Sequence, residues 1–267
     1  MHANRHDQID AQKPPGLLRE LFARDGWAVL FFALSTIVVE LGTFGVALAA
    51  GANLLGATMA CLAACVVWLA LASAVFAASG RDTLGSLVRG GIVADASGVV
   101  LLTLWLVCAR HAEENAPSYV TLLGAVKIYA VLAAMALLSV AAVRVPSREP
   151  TRYVAAVIVS VLMAAACAGP FWSGGLLRLV EEPARQQFVR QLVYWNPFYC
   201  VLDAVVRQTG VVWHQLPVLY RITRIGDYVA APPPVWHAAA WRFALLAAIL
   251  SAGKFISRRL TRRPRRN

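Results

Sequence analysis

Charge is what this 267-residue chain has least of: Asp, Glu, Lys and Arg make up 15% of it, against 59% from the hydrophobic set. A soluble domain carries about 25% charged residues, so a water-facing surface could not be covered, and the soluble class is excluded. Lysine is rarer still, with Lys13, Lys127 and Lys254 alone. None of them closes a Gly-x-x-x-x-Gly-Lys-Ser/Thr phosphate loop, so the chain is read as unable to hydrolyse ATP unaided. Cysteine is sparse and lacks any Cys-x-x-Cys. Cys61, Cys65, Cys108 and Cys167 lie in apolar runs and only Cys200 in a mixed one. They read as small buried thiols rather than a disulfide framework or a metal site. His2, His6, His111, His214 and His237 are too dispersed for a metal centre. Asp95-Ala96-Ser97-Gly98 sets a serine beside a glycine, without a Gly-x-Ser-Gly form or a histidine well inside a later span. No catalytic residue and no metal ligand is assigned.

What is present is apolar length. A spanning helix needs about 20 apolar residues, and six runs qualify: 27–50, 54–79, 91–109, 119–143, 153–172 and 235–256. The expected fold is an all-α integral membrane protein with six transmembrane helices. Its expected parts are a cytoplasmic arm and interfacial helix (1–26), a transmembrane domain (27–257) and a basic tail (258–267). Ala47-Leu48-Ala49 resembles a leader-cleavage site. A leader's apolar core runs about 7–15 residues, so the longer first run is expected to remain as a span.

The formal charge of +11 would suggest nucleic acid in a soluble protein. Here it reads as topology. Arg5, Lys13, Arg19 and Arg24 precede the first span, Arg81 and Arg89 sit in the 80–90 loop, and Arg144, Arg148 and Arg152 in the 144–152 loop. The tail from Lys254 holds seven basic residues and no acid. Both termini and these two loops are therefore expected to face the cytoplasm of a plasma (inner) membrane. The tail is expected to lie against anionic inner-leaflet lipid, with no nucleic-acid partner.

Three connecting pieces carry pattern. Leu17, Leu18, Leu21 and Phe22 form an apolar face before Gly26-Trp27, predicting a short interfacial helix. In the inner loop, Leu84, Leu87 and Val88 predict a one- or two-turn amphipathic helix between glycines. The long outer segment 173–234 places Leu177, Val180, Ala184, Phe188 and Leu192 on one helical face, interrupted by Pro183. There Asn196-Pro197 has the chemistry of a helix start: the amide side chain accepts from first-turn N–H groups, and proline at the first position forfeits no bond. The apolar helix that follows is too short to span and is expected to dip back into the membrane against protein neighbours.

Taken together, these features resemble the membrane subunit (permease) of the type-2 ABC transporter family. The likeness rests on an interfacial helix before span one, six spans with both ends inside, a helical inner loop after span two, and a long semi-apolar link between spans five and six. Ser173-Gly174-Gly175 after span five matches a common element, as does Asn196-Pro197 with Asp203 seven positions after the asparagine. The usual arginine three after the acid is Val206, with Arg207 one position late, and the expected aromatic is Tyr199, one position early. The final link into span six is also longer than usual. The resemblance implies a pair of such subunits, homo- or heterodimeric, driven by a separate ATPase that binds ATP and magnesium. It implies export of a lipid-like, polysaccharide or amphiphilic substrate. Leu84, Leu87, Val88 and Arg89, with the interfacial helix, would touch that ATPase. The alternative from another class is a non-transporting integral subunit that scaffolds a larger membrane complex.

Charges inside spans cost about 2.5–3.5 kcal/mol on insertion scales and usually face protein or water. Glu40 in span one and Lys127 in span four are opposite in sign and are expected to pair, the alternative being a place on a substrate path. Asp95 and Arg242 lie nearer the span ends, where snorkelling makes them cheaper.

Overall fold

The computed structural model describes residues 17–79, 83–112, 120–169, 173, 175, 177–182, 184–209 and 235–261, and these contain helices and turns but no strand. The helices are α1 (Leu17–Ala49), α2 (Leu54–Ser79), α3 (Thr83–Ala112), α4 (Leu122–Arg144), α5 (Glu149–Cys167), α6 (Ala184–Trp195), α7 (Pro197–Thr209) and α8 (Trp236–Thr261). Six of them hold segments long and apolar enough to cross a membrane: Trp27–Ala49, Leu54–Ser79, Gly85–Arg110, Leu122–Arg144, Glu149–Cys167 and Trp236–Ile256. The arm 1–16, residues 80–82 and 113–119, most of the outer segment beyond Thr209 and the tail beyond Thr261 lie outside the described residues. So do the side chains of Leu84 and Asp203.

Local chemistry explains the boundaries. α1 stops because Gly51 takes φ +85, a left-handed turn that favours glycine. The Gly51 N–H then donates to the Leu48 carbonyl and the Ala52 N–H to that of Ala47, which satisfies two carbonyls left over at the helix end. Asn53 caps α2 by accepting from Gly56 N at 2.8 Å. Thr121 caps α4 by accepting from Gly124 N at 3.1 Å. Pro150 sits in the first turn of α5, where a missing N–H costs nothing.

Two expected breaks are absent. Helix runs unbroken through Gly26-Trp27, so the segment expected to lie in the interface continues directly into span one. The inner-loop helix is likewise not separate: Thr83 onward is the start of α3, which passes through Gly90-Gly91 without interruption. Gly90 is needed for packing, since a Cβ there would stand 2.9 Å from Val140 Cγ2. Leu87, expected to await a partner, packs on a cluster formed by Ala74, Ala77, Val140 and Ala156. Span five is also shifted toward the N-terminus, beginning at Glu149 and ending at Cys167.

α2 and α4 form the centre. α2 packs against α1, α3, α4 and α5, while α4 packs against α2, α3, α7 and α8. In α2, 61% of the span window is buried inside the protein, against 22% in α1, 17% in α8 and 11% in α5. These three peripheral spans therefore turn most of their apolar surface outward, as helices in hydrocarbon do. At the end where α2 and α4 finish, Arg144 is buried and donates to the Ala77 carbonyl at 3.4 Å. Arg152 there donates to the carbonyls of Pro146 (3.3 Å) and Ser147 (2.9 Å). Of these two arginines, expected as topology signals, Arg144 thus also ties α4 to α2 and Arg152 holds the α4–α5 turn together.

Candidate functional site

α1 is largely exposed, and its buried described residues are Val29, Thr36 and Glu40. Their i, i+7, i+11 spacing makes a narrow seam along one face. The hydrophobic seam thus carries two polar groups into the centre of the bundle. Thr36 Oγ1 accepts from the Trp68 indole at 3.0 Å and donates to the Phe32 carbonyl at 2.7 Å. One turn on, Glu40 is fully buried and its Oε1 accepts from Ser97 Oγ of α3 at 2.7 Å. The Cys65 thiol of α2 flanks the carboxyl. Its second oxygen, Oε2, is buried without a hydrogen-bond partner among the described residues. Three helices therefore converge on one intramembrane carboxyl.

Lys127 is not its partner. Lys127 is half-buried on α4 and forms no ion pair among the described residues, where the ion pair seen is Arg185–Glu182 at 3.4 Å. The expected Glu40–Lys127 bridge gives way to Glu40–Ser97 because α1's seam faces α2 and α3, and α1 packs on those two helices. Both Glu40 and Ser97 are visible in the sequence as polar residues in spans; nothing in it couples them.

A second carboxylate lies on the same helix as Ser97. Asp95 is exposed, and Tyr129 Oη of α4 donates to its Oδ1 at 2.5 Å. Because α3 starts earlier than expected, Asp95 is not near a span end. Gly90 abuts Val140 and Gly98 abuts the Tyr129 ring, so Asp95 falls between those levels, about half-way along α4.

At the end where α5 finishes, the asparagine motif does what its chemistry predicts. Asn196 Oδ1 accepts from Phe198 N at 2.9 Å and Tyr199 N at 3.3 Å, capping α7. Its Nδ2 donates to the Ala166 carbonyl at 2.6 Å, stapling α7 to the last turn of α5. Gly169 permits the approach, since a Cβ there would meet Leu192 Cδ1 at 2.9 Å. Pro197 is the first residue of α7, and Tyr199, Cys200, Val201 and Leu202 are all buried. Burial pushes the Tyr199 phenol above its ordinary range. α6 begins directly after Pro183, and Phe188 and Leu192 of the predicted face pack on the core beside Val189 and Val193.

Arg242 also finds protein partners. Its guanidinium lies 4.0 Å over the Tyr194 ring and 4.7 Å from that of Trp195, and Nη2 donates to Cys200 Sγ at 3.2 Å. The arginine thus ties α8 to the α6–α7 corner. Of the residues expected to meet an ATPase, Leu87, Val88 and Arg89 are each half-buried on α3. Among the described residues, no group of three His, Cys, Asp or Glu side chains is placed to hold a metal. Comparison with protein families, curated proteins and solved structures gives no match to this chain.

Proposed function

We propose that the chain is the membrane-spanning permease subunit of an exporter driven by a separate ATPase, its substrate an amphiphile or other lipid-like molecule. The observation that carries this reading is the Asn196 corner. It supports a six-span bundle whose fifth and sixth spans are joined by a helix pair packed into the bundle's end, the layout on which the resemblance to type-2 ABC permeases rests. On this reading both termini are cytoplasmic, and α6–α7 close the outer end. Residues 17–26, as the first turns of α1, would extend span one toward the inner face, and ATP with magnesium would bind to the partner. The N-terminal part of α3, with the half-buried Val88 and Arg89, would meet that ATPase, and α1, α5 or α8 would supply the face for a second permease subunit.

One observation favours the scaffold reading instead. Leu87 is already covered by α2, α4 and α5, which leaves less apolar surface for a coupling ATPase. Affinity purification from native membranes in mild detergent separates the two. The permease reading expects an ATPase with a phosphate loop to be recovered in near-equal amount; recovery of only non-nucleotide-binding membrane proteins overturns it.

A further inference from the structure

Between α3 and α4 a groove of about 280 Å³ opens on the outside of the bundle, lined by Asp95, Gly98, Val99, Leu102, Val126 and Tyr129 among others. Its walls are apolar, and Val99 and Val126 are each more than half exposed. Gly98 keeps its floor clear, because a Cβ there would press on the Tyr129 ring at 3.3 Å. At its centre lies a carboxylate at mid-depth in the spans. Asp95 takes one hydrogen bond, from Tyr129, and no ion pair with a described residue. Facing hydrocarbon with no counter-charge is costly for an aspartate, and the neutral phenol lowers that cost only partly. A group that brings a positive charge to the carboxylate and apolar surface to the walls satisfies both halves of the groove.

We propose that this groove binds a monocationic amphiphile, its ammonium on Asp95 and its apolar body along Val99, Leu102 and Val126. Tyr129 positions the carboxylate: its hydroxyl occupies Oδ1 and leaves Oδ2 to the cation. The groove opens sideways toward lipid, so such a ligand enters from the bilayer. The assignment deepens the transport reading by naming a substrate class. It rests on that reading for the word substrate alone, because binding is measurable without transport.

The test uses the full-length protein in phosphatidylcholine nanodiscs, with tritiated dodecylamine as probe, displaced by the unlabelled amine, in a scintillation proximity assay. The wild type is expected to bind saturably, with displacement by unlabelled dodecylamine and not by dodecanol. Asp95→Asn is expected to weaken binding by about tenfold or more, the equivalent of about 1.4 kcal/mol. Tyr129→Phe is expected to weaken it about threefold, and Val99→Trp, which fills the groove, to abolish it. If Asp95→Asn fails to purify, Val99→Trp decides. Unchanged binding in either variant overturns the proposal, as does equal displacement by dodecanol. A wild type that binds no probe but loses a co-purifying membrane subunit on Asp95→Asn makes the groove a helix–helix contact, and also overturns it. Probe binding without a recovered ATPase would leave this site standing and remove the transport reading.

Discussion

Glu40 and Asp95 are both carboxylates at mid-depth in apolar helices, and each accepts a hydroxyl hydrogen bond, yet their surroundings are opposite. Glu40 is sealed between α1, α2 and α3, while Asp95 looks out of the bundle into an open groove. α3 separates them. Ser97, two residues beyond Asp95, lies about 200° round the helix, so one face reaches inward to Glu40 and the other carries the second acid outward. A charge in a span is thus not one kind of feature: the buried one belongs to the packing of the bundle, and the exposed one needs something from outside.

The contrast is sharpest in substitutions that remove each acid. Asp95→Leu is expected to favour membrane insertion of the α3 segment by about 3 kcal/mol, read as the inserted fraction in a translocon assay. The purified variant should melt no lower than wild type. Glu40→Ala should do the reverse, lowering stability by about 2 kcal/mol in a detergent melt, since it opens a cavity and strands the Ser97 hydroxyl. If both substitutions move stability the same way, the distinction between a packed acid and a ligand-facing acid fails. Asn196→Ala provides a reference far from both acids. It removes the α7 cap and the tie to Ala166, at a cost of about 1 kcal/mol, and should leave cation binding at Asp95 unaltered. The smallest effect is a double-mutant cycle on Glu40→Gln and Ser97→Ala. A coupling of about 0.6 kcal/mol is expected for an interhelical hydrogen bond in a membrane protein, and zero coupling would mean the 2.7 Å contact contributes nothing. Glu40→Gln keeps the carbonyl acceptor, so loss of transport with intact assembly would place Glu40 on a substrate path as well.

Much of the fold is legible in the residues because the bilayer imposes strong local rules. Six runs of apolar sequence become six helices, since no water is present to satisfy an unpaired backbone. Asn196-Pro197 also reads correctly, because capping depends on neighbours within one turn. The misread pieces are those where a local signal competes with packing. Gly26-Trp27 and Gly90-Gly91 look like breaks, yet glycine in a helix costs only about 1 kcal/mol, and the close contact with Val140 gives Gly90 a reason to stay helical. That extension of α3 is also what carries Asp95 from an expected span end to mid-depth. Opposite sign is all that links Glu40 with Lys127 in the sequence. Sign does not say which faces meet.

By itself, then, the sequence determined that this protein is helical and lives in a membrane, because those properties follow from apolar length and from hydrogen bonds closed within each segment. It also determined that α7 starts at Pro197 under an asparagine cap. The tertiary structure alone decided which intramembrane polar groups meet. Ser97 and Glu40 are 57 positions apart, and Tyr129 and Asp95 are 34 apart. Each contact depends on the rotation of one helix against another, which is set by side-chain shape at places such as Gly90 and Gly98. No local pattern in the chain encodes that rotation.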